Sequence, residues 1–316
     1  MSLAFIFPGQ GSQAVGMGKA LADASPAARA VFAEVDEALG QNLSKLMWEG
    51  PEAELTLTEN AQPALMAVSL AVIRVLEAQH GVRLQDAAKF VAGHSLGEYS
   101  ALAAASTFSL ADAARLLKLR GTAMQAATPV GTGAMAALLG LDYPDAVAVA
   151  EAAAQNEICQ AANDNAPGQV VVSGHKAAVE RAVMLAKEKG AKRAVMLQVS
   201  APFHCALMQP AAEAMAKALT DTPMRPPLVP VYSNVLARPL TDAAEIRKAL
   251  VAQVTGTVRW RESMAAMAAA GVKLFCEAGA GKVLSGLVKR TAPDAQGLSL
   301  GTPDDIAQNV AQLKQG

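Results

Sequence analysis

The sequence predicts an α/β fold in which a mostly parallel sheet is interrupted by a smaller unit of its own. Short apolar runs alternate with stretches of helical apolar spacing over residues 3–127 and again over 229–314. That alternation is the pattern of a parallel sheet covered on both faces. Residues 133–199 instead read β-α-β-β-α-β, the order of a ferredoxin-like unit. Hydrophobic residues make up 52% of the 316, many of them Ala, which is enough for a large and closely packed core.

Each element has a local reason. Residues 3–7 are a short apolar run ended by Pro8-Gly9, a strand entering a turn. Ser25 with Pro26 is an N-cap followed by proline at the first helical position, so a helix runs from there to Leu39. Residues 63–79 are apolar at helical spacing, and Gly81 closes them. A strand over 89–92 leads directly into Gly93-His94-Ser95-Leu96-Gly97 and a small-residue helix over 98–105. Ser109 and Asp112 start a helix that reaches Ala127. In the middle unit, strands are expected over 133–141, 158–162, 169–173 and 193–199, and helices over 145–154 and 176–189, with a turn over 163–168. Beyond it come strands over 229–233 and 273–277, and helices over 243–253, 262–270, 283–290 and 304–314. The large domain is therefore expected over 1–128 and 200–316, with the ferredoxin-like subdomain inserted over 129–199.

Composition narrows the function classes. A formal net charge of −1 and only 4% aromatics speak against a nucleic-acid partner. Cys159, Cys205 and Cys276 are scattered and form no C-x-x-C pair, so neither a disulfide framework nor a zinc site is indicated and a reducing cytoplasm is expected. Residues 1–5 carry no basic segment before their apolar run, and the apolar stretch 64–73 is too short to span a bilayer, so no membrane is expected.

The chemistry concentrates in a few segments. Gly93-x-Ser95-x-Gly97 between a strand and a helix is the context of a nucleophile elbow: the turn lifts a serine hydroxyl to the sheet edge, where a helix offers its N–H groups to an oxyanion. The pattern by itself is also that of a small-residue turn. A serine nucleophile needs a base, and four histidines are available. His94 adjoins Ser95 and should leave the elbow in another direction; His80 stands at a helix end and His175 in a turn of the small unit. His204, in Pro202-Phe203-His204-Cys205, remains. Cys205 is a competing nucleophile, disfavoured because sequence neighbours in extended backbone point apart. Arg120 lies in an apolar helix, either on a solvated face with Lys118 or inward as a fork for a carboxylate. Gly9-Gln10-Gly11-Ser12-Gln13 lacks the spacing of a phosphate loop and fits better as a loop supplying an oxyanion N–H.

Taken together, these segments resemble the malonyl-CoA:acyl carrier protein transacylases and, more widely, the acyltransferase domains of fatty-acid and polyketide synthases. The resemblance runs nearly end to end. Its motifs include Phe7-Pro8-Gly9-Gln10-Gly11-Ser12-Gln13, Gly93-His94-Ser95-Leu96-Gly97-Glu98-Tyr99, Leu119-Arg120-Gly121, Pro202-Phe203-His204, Val231-Tyr232-Ser233-Asn234 and Gly281-Lys282-Val283-Leu284. The chain departs from the family's usual pattern at Thr255-Gly256-Thr257 and Gly279-Ala280-Gly281. The resemblance implies a hydrolase-like α/β domain with a ferredoxin-like insertion. It implies Ser95 as nucleophile, His204 as base, Arg120 on the malonyl carboxylate, and the N–H groups of Gln10 and Leu96 as oxyanion hole. Gln253 lies in the segment whose backbone carbonyl orients the histidine, and Phe203 matches the version that accompanies malonyl over methylmalonyl preference. Malonyl-CoA and acyl carrier protein are then the partners, coenzyme A thioester is substrate, no cofactor or metal is required, and a cytoplasmic monomer is expected. Such carriers are acidic, and Lys189, Lys192 and Arg193, or Lys282, Lys289 and Arg290, are candidate contacts. A serine hydrolase and a non-catalytic carrier-binding subunit are the competing readings.

Overall fold

The computed structural model describes residues 2–314. Among them the chain forms ten strands: β1 (Leu3–Phe7), β2 (Ala88–Gly93), β3 (Gly133–Leu139), β4 (Cys159–Ala166), β5 (Gln169–His175), β6 (Arg193–Met196), β7 (Val231–Tyr232), β8 (Pro239–Leu240), β9 (Leu274–Glu277) and β10 (Gln296–Ser299). The larger sheet has the order β10-β9-β1-β2-β7-β8, with every neighbouring pair parallel except β7 and β8. β1 sits inside it and all five of its residues are buried. The pleat sends Leu3, Phe5 and Phe7 into one apolar cluster and Ala4 and Ile6 into another, so both faces of the sheet are covered.

The second sheet, β4-β5-β3-β6, is antiparallel throughout. This is the strand order of a ferredoxin-like unit, completed by helices Tyr143–Ala154 and Lys176–Glu188. Ala134, Ala136 and Leu138 of β3 face those helices, while Met135 on the alternate face joins Ala162 and Val171 in a separate small cluster. That second face looks across at the carboxyl ends of β1 and β2, which stand side by side with Phe7 opposite Gly93.

Several expectations needed correcting. The long helix runs Thr58–His80 and holds Pro63 inside it, where the sequence suggested a start at Pro63. Tertiary packing overrides the missing proline N–H: the neighbouring helix Leu110–Ala126 approaches so closely at Gly121 that a Cβ there would lie 2.6 Å from the Thr58 oxygen. At 23 residues this helix is long and apolar enough to cross a membrane, so shortness was the wrong argument; 83% of its apolar window is instead buried in the protein core. The turn expected over 163–168 is mostly strand: β4 continues to Ala166 through two register shifts, and only Pro167 and Gly168 make the turn. β6 ends at Met196, earlier than expected, which leaves Leu197–Ser200 irregular beside the site. Helix Gln209–Asp221 and strand β10 were not anticipated; Ala211, Ala212, Met215 and Leu219 carry the helix's buried stripe, whereas β10 is a strand only because it pairs with β9.

Candidate active site

The turn after β2 is a tight elbow flanked by two glycines. Ser95 has φ +54°, a left-handed conformation uncommon for a side chain larger than glycine. A Cβ on Gly93 would lie 1.8 Å from the Gly97 oxygen, and one on Gly97 would lie 2.3 Å from the Phe7 oxygen. Both glycines are thus fixed by backbone approach. Asn234, just past β7, straps the turn: its Oδ1 accepts the Ser95 N–H at 2.7 Å and its Nδ2 donates to the Gly93 oxygen at 2.7 Å. Helix Gly97–Ala104 begins at once, and Gln10 lies in the loop after the adjacent strand β1. The backbone N–H groups of Gln10 and Leu96 have no hydrogen-bond partner among the described residues.

His204 reaches this elbow from the return segment between the two sheets. It too has a positive φ, +58°, and is 3% exposed. Its Nε2 lies 2.7 Å from Ser95 Oγ. Its Nδ1 donates to the Gln253 carbonyl at 2.9 Å and lies 3.2 Å from the Gly256 carbonyl. Two carbonyl acceptors place the proton on Nδ1 and leave the Nε2 lone pair facing the serine. Burial, with help from the Arg120 charge, pushes the ring's pKa down to about 3, so the imidazole is neutral at ordinary pH. The other histidines lie elsewhere. His94 Nε2 meets Asn165 Oδ1 at 2.8 Å, His175 Nδ1 accepts the Ile158 N–H at 2.9 Å, and His80 ends the long helix. Cys205 is fully buried, its Sγ faces the Pro202 carbonyl at 3.2 Å, and burial raises its pKa.

Arg120 points inward and is 1% exposed. Its Nη1 donates to Gln62 Oε1 at 2.7 Å; its Nη2 donates to Gln253 Oε1 at 2.8 Å and to Ser95 Oγ at 3.2 Å. Its Cζ stands 5.6 Å from the Tyr99 ring centroid. Lys118, two residues earlier, turns outward to Asn60 and Glu59. None of Arg120's hydrogen-bond partners among the described residues is a carboxylate, so a buried cation faces the Ser95 hydroxyl without a directly paired anion.

These groups line a cavity of about 350 Å³. Ser95, His204, Arg120 and Gln62 line it together with Gln10 and Leu96 and with the apolar Met135, Val171, Leu197 and Phe203. Phe203 is partly buried, and Gln253 is fully buried. Gln62, Asn234 and Glu98 were not singled out from the sequence. The available signal was polarity out of place: Gln62 sits in an apolar helix, and Glu98 in a helix of small residues.

Residues 4–308 match the acyl transferase domain family. The malonyl CoA-acyl carrier protein transacylase of Bacillus subtilis is 46% identical over 99% of this chain and 98% of its own. The crystal structure of the acyl-carrier-protein S-malonyltransferase of Bartonella henselae superposes with a TM-score of 0.97 at 56% identity, covering 99% of this chain and all of that one, at 100%. A malonyl-transacylase solved with a type II PKS acyl-carrier protein gives a TM-score of 0.95 at 42% identity, covering 100% of both chains. The chain belongs to the acyl transferase domain family, among the malonyl CoA-acyl carrier protein transacylases.

Proposed function

We propose that this chain transfers a malonyl group from malonyl-CoA to the phosphopantetheine thiol of an acyl carrier protein, through an ester on Ser95. The observation that carries the reading is Arg120: a buried guanidinium 3.2 Å from the Ser95 hydroxyl, lining the same cavity. An acyl chain attached to Ser95 and ending in a carboxylate meets that charge; an acetyl group leaves it unpaired.

His204 Nε2 takes the Ser95 proton as Oγ attacks the thioester carbonyl. The N–H groups of Gln10 and Leu96 receive the oxyanion, and the Gln253 carbonyl holds the imidazolium through Nδ1–H. Collapse breaks the carbon–sulfur bond, His204 returns the proton to the coenzyme A thiolate, and malonyl-Ser95 remains. The carrier thiol repeats the steps in reverse, with His204 as base toward sulfur. A backbone carbonyl in the third position orients the base without adding an anion beside it. Phe203 narrows the wall next to His204 where an α-methyl would sit. The same reading places the enzyme in fatty-acid synthesis as a cytoplasmic monomer away from membranes; its three buried, unpaired cysteines suit a reducing compartment.

Intact-mass spectrometry after mixing with malonyl-CoA tests this. Wild type should gain one malonyl group, mapped to Ser95. Ser95→Ala should gain none, and His204→Ala should acylate about 10²–10⁴-fold more slowly with its fold intact. A malonyl group on Cys205 or on another serine would overturn the assignment.

A further inference from the structure

Glu98 is 2% exposed, in the first turn of helix Gly97–Ala104, and takes no part in the steps above. Its Oε2 accepts two hydrogen bonds, from Gln253 Nε2 at 2.7 Å and from the Asn234 backbone N–H at 3.1 Å. Both donors are tied to the site by their other ends. Asn234 Oδ1 accepts the Ser95 N–H at 2.7 Å. Gln253 Oε1 accepts from Arg120 Nη2 at 2.8 Å, and the Gln253 carbonyl accepts from His204 Nδ1 at 2.9 Å.

A side-chain amide has a donor end and an acceptor end, and its orientation follows from what faces each. Gln253 Nε2 faces Glu98 Oε2 and the Ser95 carbonyl, the latter at 3.0 Å, and both are acceptors. Oε1 then faces the guanidinium. Turned over, the amide would set N–H groups against Arg120 and an oxygen against a carboxyl and a carbonyl. Burial raises the Glu98 pKa to about 7, held back by the hydrogen bonds from Gln253 and Asn234 and by the Arg120 charge, so the group is under strong demand for these donors.

We propose that Glu98 is a positioning residue for acyl selectivity: by accepting the Gln253 Nε2–H it locks the Gln253 amide with Oε1 toward Arg120, and so aims the guanidinium at the terminal carboxylate of an acyl group on Ser95. The inference rests on the reading of Arg120 as the acyl-carboxylate site. Glu98 touches neither substrate nor reacting atoms; its effect on selectivity reaches Arg120 through Gln253, while its contact with Asn234 bears on the Ser95 turn and would move both acyl rates alike.

The test is the ratio of single-turnover acylation rates, malonyl-CoA over acetyl-CoA. Glu98→Ala should lower this ratio about tenfold, the effect of weakening one hydrogen bond to a charged group. Glu98→Gln can set its amide oxygen where Oε2 lies and should restore most of the ratio. Gln253→Met keeps the backbone carbonyl that holds His204, and it should lower the ratio as Glu98→Ala does; it answers the question if Glu98→Ala does not fold. Added to Arg120→Ala, Glu98→Ala should lower the ratio no further, because both act on one interaction. If the malonyl and acetyl rates fall in parallel in Glu98→Ala and Gln253→Met while Arg120→Ala lowers the ratio, the positioning role is overturned and the Arg120 reading stands. A ratio unmoved by Arg120→Ala overturns both.

Discussion

Arg120 combines near-complete burial with a contact to the Ser95 hydroxyl oxygen. A hydrogen bond to a charged group contributes roughly 1.5–3 kcal/mol, or about 10- to 150-fold in rate preference. Arg120→Ala should therefore lose acylation by malonyl-CoA by about that factor and gain relative activity on acetyl-CoA. Arg120→Lys should recover little, because one ammonium cannot span Gln62 Oε1, Gln253 Oε1 and Ser95 Oγ as the planar fork does. Competition among malonyl-, acetyl- and methylmalonyl-CoA, read as acyl-enzyme mass, checks this. The same mixture tests Phe203: a methyl group in an apolar wall discriminates by only about 1–3 kcal/mol, so methylmalonyl should load less than malonyl without being excluded. Equal loading of acetyl and malonyl by wild type would remove the role given to Arg120.

At the scale of elements, β4 fastens the small sheet to the segment leading into helix Trp260–Ala269. Its irregular end pairs with the segment around Val258: the Asp164 N–H donates to the Val258 carbonyl, and the Val258 N–H to the Ala162 carbonyl, each at 2.9 Å. Asp164 is fully buried, and Arg261 grips both its carboxylate oxygens at 3.0 Å. Asn163 and Asn165, on either side, line the cavity. Arg261→Ala strands a buried carboxylate. It should destabilise the protein by about 2 kcal/mol, less than for a fully enclosed pair because solvent reaches the arginine. Urea unfolding measures the loss, and an unchanged midpoint would show that backbone pairing alone holds β4. The same residues explain why 163–168 read as a turn. Asn, Asp and Pro favour turns in isolation, and only the Val258 segment and Arg261 supply partners that keep Asn163 and Asp164 extended.

The whole molecule must admit a second protein to the mouth of the cavity. Of the two basic clusters seen in the sequence, Lys189, Lys192 and Arg193 are exposed at the end of the small unit. The other is divided by the fold: Arg290 Nη1 donates to Gln169 Oε1 and so ties helix Val283–Thr291 to β5, while Lys282 and Lys289 stay exposed. Lys282→Glu with Lys289→Glu should slow transfer to the carrier about tenfold at low salt, leave acylation by malonyl-CoA unaffected, and lose its effect as salt rises, since complementary surface charge acts mainly on encounter rate. Transfer rates at low and high ionic strength give the answer. If this pair and a matching reversal at Lys189 and Lys192 both leave transfer unchanged, steering by these clusters is ruled out.

Local chemistry alone determined a good deal. Strand–helix alternation and the βαββαβ order follow from apolar period and turn residues, which are properties of neighbours in the chain. So does Gly93, since the crowding it relieves arises within the turn itself, whereas Gly97 is set by the Phe7 oxygen of β1. His204 could be reached by elimination among four histidines, and the inward or outward course of Arg120 could not. Tertiary structure decided everything that depends on residues far apart in sequence. It set Ser95 Oγ 2.7 Å from His204 Nε2, turned Arg120 away from the side of Lys118, and joined Gln62, Glu98, Asn234 and Gln253 into one buried polar network. A polar side chain in an apolar segment points in the sequence to a buried partner, because leaving it unpaired costs free energy. Which partner it finds depends on which strands and helices converge, and that is fixed only when the two sheets close on each other.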